Sequence, residues 1–137
     1  MVRHLGLCGF LLIAACANTD GVAPVTQAIG DPAFDGQYRG TISAISPATC
    51  GPPGGNIAMN IVNGALSMRT GGGRNTVVGR VNPGGSITNV SISGPVIVGT
   101  SSGSGQISEG RITLRLQWSD PRFTVPCNYT YEASKAV

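Results

Sequence analysis

Arg111-Ile112-Thr113-Leu114-Arg115-Leu116-Gln117-Trp118-Ser119 decides the fold. Ile112, Leu114, Leu116 and Trp118 fall on one side of a period of two, and Arg111, Thr113, Arg115 and Gln117 fall on the other. Strict alternation belongs to a strand with one buried face and one wet face. Downstream, Phe123, Val125, Cys127, Tyr129 and Tyr131 alternate with Thr124, Pro126, Asn128, Thr130 and Glu132, which predicts a last strand with Cys127 turned to the core. Upstream, Tyr38, Gly40, Ile42 and Ala44 share one face, and Ile57, Met59 and Ile61 alternate with Ala58 and Asn60. Further strands are predicted at residues 66–69, 76–81, 86–92 and 105–108, with a short run at Val96-Ile97-Val98.

Turn chemistry joins these segments at short intervals. Asn63-Gly64, between Val62 and Ala65, signals a type I′ hairpin, because that turn needs positive φ at both central residues. Asn82-Pro83-Gly84-Gly85, Ser93-Gly94-Pro95 and Ser108-Glu109-Gly110 punctuate the rest. No helical stripe with a period of 3.6 appears beyond the N-terminal segment. The expected fold is all-β, an up-and-down antiparallel meander of about eight short strands. Its two edges must be disposed of, and closure into a small barrel does this more completely than a sandwich.

Composition agrees with one compact β-rich domain. Of 137 residues 21 are glycine and 11% are charged, whereas disordered chains combine high charge with few apolar residues. Only 5% are aromatic, so the core must be built mainly from Ile, Val, Leu and Met.

The N-terminus carries the address. Met1-Val2-Arg3-His4 is a basic start, and residues 5–15 are apolar apart from Gly6, Cys8 and Gly9, a run too short for the roughly 20 residues that span a bilayer. It closes on Ile13-Ala14-Ala15-Cys16. An aliphatic residue, two small residues and a cysteine resemble the lipobox of bacterial lipoproteins. The resemblance implies cleavage before Cys16 and lipidation of its thiol. The lack of periodicity up to residue 33 and the period of two from Phe34 onward then read as a tether over residues 16–33 ahead of a barrel-like domain at 34–137. The 17 residues after Cys16, small and polar with two prolines, would span about 20 to 25 Å as a flexible coil. Ala17, in place of the aspartate that tends to retain such proteins at the inner membrane, favours the outer membrane, on either its periplasmic or its surface side. The membrane is then a partner through the lipid anchor.

Loss of residues 1–15 removes Arg3, Cys8 and the single histidine, His4, leaving eight Lys+Arg against six Asp+Glu. That weak basic bias lacks the concentrated patch of a nucleic-acid binder, so no nucleic acid is expected as partner. With Cys16 lipidated, Cys50 and Cys127 are the remaining thiols, and export places them where disulfides form. Cys50 lies in the loop Ser46-Pro47-Ala48-Thr49-Cys50-Gly51-Pro52-Pro53-Gly54-Gly55, which a bridge to the last strand would hold in place. A redox or metal role would want CxxC spacing or a histidine partner, and neither is present.

Catalytic motifs are imitated but incomplete. Gly99-Thr100-Ser101-Ser102-Gly103 matches G-x-S-x-G, yet the elbow needs a strand-to-helix turn and a His/acid pair. It reads instead as a flexible Gly/Ser loop. Gly71-Gly72-Gly73-Arg74 lacks the Gly-Lys-Ser/Thr of a phosphate loop. The acids Asp35, Glu109, Asp120 and Glu132 scatter over turns and strand ends, with no pairing of the kind glycosidases need. No catalytic residue, cofactor or metal is therefore expected. The candidate binding surface is Arg111 and Arg115 on the wet face, with Arg74 and Ser101 in loops; Arg39, Arg69 and Arg80 would join it if the meander closes. Such arginines suit an anionic glycolipid or an acidic envelope protein.

The lipobox, tether, short strands, bridge and Gly turns together resemble the small β-barrel lipoproteins of Gram-negative envelopes. The barrel-type periplasmic protease inhibitors are the nearest functional analogy, although no inhibitor motif matches residue by residue. The expectation is a non-enzymatic binding or interaction module of the envelope; the alternatives are a periplasmic protease inhibitor or a carrier of a small apolar ligand in the barrel.

Overall fold

A computed structural model describes residues 30–137. The signal, Cys16 and the first part of the tether therefore lie outside the described residues. Eight strands run β1 Gly36–Ser46, β2 Asn56–Val62, β3 Ala65–Thr70, β4 Asn75–Val81, β5 Ser86–Ser93, β6 Thr100–Ser108, β7 Arg111–Ser119 and β8 Cys127–Lys135. Each pairs antiparallel with the next, and β8 returns to β1, so the sheet closes into a barrel within these residues. Barrel rather than sandwich is the outcome, and the expected all-β meander is what forms.

Tight turns gather at one end. Asn63 and Gly64 have φ 50° and 75°, and Glu109 and Gly110 have 51° and 73°, the positive pairs that a two-residue hairpin requires. The chain packs against the barrel here by Gly30: a Cβ on Gly30 would lie 2.3 Å from the Gly64 Cα. A 3-10 turn at Pro32–Phe34 then crosses this end. The Tyr38 hydroxyl donates to the Phe34 carbonyl at 2.8 Å, Lys135 Nζ donates to the Ala33 carbonyl at 3.0 Å, and the Asn63 amide donates to Asp35 Oδ2 at 3.0 Å. Phe34 packs against the core, so this pole is closed.

The interior is filled by alternate residues of every strand, as expected for eight strands, whose radius side chains just fill. Tyr38, Met59, Ile61, Leu66, Met68, Val77, Val81, Ile87, Ile107, Ile112, Leu114, Leu116 and Tyr131 are all buried. Gly40 marks the tightest approach of two strands, since a Cβ there would stand 1.8 Å from the Glu132 carbonyl oxygen on β8.

Four local expectations fail. A bulge shifts the β1 register between Ile42 and Ala44, so Ala44 is exposed and Ile45 turns inward opposite Tyr129. Residues 94–99, including Val96-Ile97-Val98, form a loop rather than a strand. Gly99 to Gly105 is not a flexible loop: from Thr100 onward it is β6, fully paired with β7. Its glycines make room for neighbours, with Val90 Cγ1 3.0 Å from a Cβ placed on Gly103. Finally, β8 begins only at Cys127; Phe123 and Val125 lie in a loop and are exposed. Pro126 supplies no N–H for a ladder, which is the physical reason the alternation at residues 123–126 does not become strand.

The barrel wall is weakest between β5 and β6. Their ladder consists of Ser86↔Gln106 and Ile87↔Gly105 alone. Beyond it Asn89 takes φ 53°, and the Ile92 amide donates to Ser101 Oγ at 2.8 Å, a side chain standing in for a strand carbonyl.

Candidate functional site

The pole opposite the tight turns carries the longer connections: residues 47–55, 71–74, 94–99 and 120–126. Three of these loops, 47–55, 94–99 and 120–126, with the ends of β7 and β8, surround an apolar mouth of about 600 Å³, lined by Val96, Trp118, Phe123, Val125, Tyr129 and the Cys50–Cys127 bridge among others. Of the seven large apolar residues left exposed on the described chain, Val96 at 56%, Phe123 at 57% and Val125 at 52% line the mouth, and Val98 at 47% lies in the same loop as Val96. Scattered exposed apolar residues need no explanation, but a cluster around a concavity is what binding sites show.

Each wall of the mouth is fixed in place. Trp118 ends the inward row of β7 and donates its Nε1–H to the Val98 carbonyl at 2.9 Å, tying the loop at residues 94–99 to the barrel rim. The disulfide joins Cys50, in a 3-10 turn at Ala48–Cys50, to the first residue of β8, with Cα atoms 5.8 Å apart. Its formation bears out the expected pairing. Asp120 anchors the base of the remaining loop. Its carboxylate accepts from the Arg122 amide at 2.8 Å and from Arg122 Nε at 2.9 and 3.0 Å, and it is also ion-paired to Arg122 Nη2. Those hydrogen bonds hold the Asp120 carboxyl below its usual range, the guanidinium bonds most strongly. The turn so made folds Arg122 back and projects Phe123, Thr124 and Val125 outward.

The floor of the mouth is tyrosine. Tyr129 and Tyr131 follow each other along the inner face of β8, with ring centroids 6.2 Å apart and planes 15° from parallel. Burial raises both phenols above their ordinary value, Tyr131 the more strongly. Among the described residues neither hydroxyl makes a hydrogen bond, so Tyr129, which lines the mouth, offers an unpartnered O–H to whatever sits there.

The outer wall holds a second feature, visible only through strand register. Arg111 lies opposite Ser134, Ser134 opposite Arg39, Arg39 opposite Ala58 and Ala58 opposite Arg69. Three arginines thus share one row across β7, β8, β1, β2 and β3, separated by two small residues, with successive Cα atoms about 10 Å apart at two strand spacings. Between Arg39 and Arg111, over Ser134, lies a polar groove of about 380 Å³ that also touches Thr41, Thr113 and Glu132. Among the described residues no ion pair reaches any of the three arginines.

The four predicted binding residues separate. Arg111 belongs to the row. Arg115 lies on the same outer face of β7, opposite Thr130 and Ser104. Arg74 sits exposed in the turn between β3 and β4. Ser101 is half-buried, and its hydroxyl already serves the β5–β6 seam. Sequence reasoning missed the mouth, because it placed Phe123 and Val125 in a buried strand; Pro121 and Pro126, which flank them, are the signal that points to a loop. Among the described residues no group of three or more His, Cys, Asp or Glu is placed to hold a metal ion.

No protein-family model, curated protein or solved structure matches this chain.

Proposed function

We propose that this chain is a lipid-anchored, non-enzymatic binding protein of the bacterial envelope, held at the outer membrane through Cys16 and engaging its ligand at the barrel mouth. The supporting observation is the placement of the exposed apolar side chains. They collect around a concavity at one pole of a barrel whose interior is already full, so an apolar ligand belongs in the mouth rather than in the barrel. The chain enters the barrel at the other pole, where Gly30 meets Gly64. The arginine row favours a second, weaker contact with anionic head groups, since guanidinium groups bind phosphate oxygens through paired N–H donors.

Two measurements test the two halves of the proposal. If Cys16 is acylated, Cys16→Ser should block processing and leave a precursor about 1.5 kDa heavier, the rough mass of 15 residues, without lipid-dependent detergent partitioning. Full processing of that variant would restore an ordinary secretory signal. For the mouth, residues 17–137, which contain the whole closed barrel, should take up the neutral apolar dye N-phenyl-1-naphthylamine saturably. Phe123→Asp and Val125→Asp should abolish uptake with the circular dichroism spectrum unchanged. Undiminished uptake in both variants would move the site elsewhere.

A further inference from the structure

The charge that the mouth shows to a ligand is positive, although the loop that carries it is neutral as a pair. Among the described residues Arg122 is the only charged one lining the mouth, and its side chain is 61% exposed. The Asp120 side chain that balances it is 1% exposed and sits behind the guanidinium. A ligand therefore meets the cation and not the anion. Of the five N–H donors of Arg122, Asp120 takes Nε–H and one on Nη2, which leaves both on Nη1 and the other on Nη2. The carboxylate also fixes the guanidinium plane, so little side-chain freedom remains to be lost on binding.

Behind this cationic edge the lining turns apolar. Val96, Trp118, Phe123 and Val125 form the walls, and Tyr129 forms the floor. Below the floor the core is close-packed from Tyr131 downward, so nothing long can thread the barrel. The accessible hydroxyls, those of Thr49, Thr124 and Tyr129, add no charge. An apolar recess of limited depth with one preorganised cation at its edge fits a molecule of the same polarity.

We propose that the mouth binds a single-chain amphiphile with an anionic head, its tail among Val96, Trp118, Phe123 and Val125 and its carboxylate or phosphate on the free donors of Arg122. This rests on the reading of the mouth as the binding site and adds to it the ligand class. It also assigns roles along the loop: Asp120 positions Arg122, Arg122 selects the head, and Phe123 and Val125 hold the tail.

Trp118 is the chain's single tryptophan, so its emission reports on the mouth directly. Residues 17–137 are titrated, below micelle-forming concentrations, with decanoate, decanol and decyltrimethylammonium, three probes with one tail length and different heads. Decanoate should shift Trp118 emission saturably and bind about tenfold or more tighter than decanol, as a charge-assisted hydrogen bond implies, with the cationic probe weakest. The decanoate preference should fade as salt rises, whereas decanol binding should not. Arg122→Gln should erase the preference. Because that substitution strips Asp120 of its partner, Arg122→Lys is made alongside it and should retain most of the preference with the loop intact. Equal binding of decanoate and decanol to the wild type would overturn the head-group assignment and leave an apolar mouth. Tighter binding of the cationic probe would also overturn it. No response of Trp118 to any of the three would overturn the mouth as a ligand site altogether.

Discussion

Replacing both bridged cysteines by alanine, Cys50→Ala with Cys127→Ala, removes the staple without leaving a reactive thiol. The bridge spans 77 residues of sequence, which takes in most of the barrel. In the chain-entropy account, closing a loop of that length removes about 15 cal/mol/K from the unfolded ensemble, or about 4.5 kcal/mol at 25 °C. Residues 30–137 should gain roughly 230 cal/mol/K on unfolding near the midpoint, so the double variant should melt about 20 °C lower. Because the effect acts mainly through the unfolded chain, near-ultraviolet circular dichroism of the folded variant should stay close to that of the wild type. One local change is expected. The turn at Ala48–Cys50 lines the mouth, and its only covalent tie to β8 is gone, so dye uptake should weaken even well below the melting point. The assay is differential scanning calorimetry on the oxidised protein and the double variant, with intact mass after alkylation to show that neither wild-type cysteine carries a free thiol. A loss under about 1 kcal/mol, or labelling of both thiols in native unreduced protein, would refute the reasoning.

Three further outcomes are expected. Gly40→Ala places a Cβ 1.8 Å from the Glu132 carbonyl oxygen and 2.5 Å from the Ala133 Cα, so β1 and β8 must part; a loss of about 1 to 3 kcal/mol or more in urea unfolding is expected, and an unchanged midpoint would deny the close approach. Tyr38, Tyr129 and Tyr131 all have phenols raised by burial, the first also by the charge of Asp35. Groups protonated more firmly in the folded state stabilise it fully below their unfolded value near 10 and lose that contribution as pH rises through it, so the urea midpoint should hold up to about pH 9 and then fall. A midpoint flat to pH 11 would be inconsistent with burial of these rings. Reversing the row with Arg39→Glu, Arg69→Glu and Arg111→Glu should weaken co-sedimentation with anionic vesicles on the order of a hundredfold, at about 1 kcal/mol for each arginine near the surface, and flatten its salt dependence; an unaltered salt slope would leave these arginines as solubilising groups only.

Most of the barrel could be read from local pattern because its interior depends on local alternation. Ile112 to Trp118 name their own strand, and Asn63-Gly64 names its own turn, since each signal is complete within a few residues. The misreadings share another cause. Ala44 and Ile45 exchange faces at a bulge that the pairing with β8 creates, and nothing near Ser43 in sequence requires it. Residues 100–105, almost all Ser and Gly, are strand because β7 offers them a continuous ladder, a case of tertiary pairing overriding weak propensity. Conversely, Phe123 and Val125 keep the period of a strand by coincidence while Pro126 denies them one. The arginine row was the least legible feature. Arg39, Arg69 and Arg111 are up to 72 positions apart, and only the register of five strands aligns them.

Closing an eight-stranded sheet settles where binding can occur. At this radius the inner side chains fill the lumen, so the device that removes exposed strand edges also removes the interior as a site. What remains is the wall and the poles, and the poles are unequal. One is joined by two-residue turns at Asn63-Gly64 and Glu109-Gly110 and plugged by Phe34. The other has longer loops, held by a disulfide, a tryptophan N–H and an Asp–Arg pair, and it keeps four large apolar side chains in water. Exposed Phe and Val add nothing to the stability of the barrel, whereas the anchors beneath them hold the surface in one shape. Substitutions at the closed pole should accordingly register in stability with binding intact. Substitutions at Phe123 and Val125 should register in binding with stability intact, and the reverse pattern would mean that the wrong pole has been assigned.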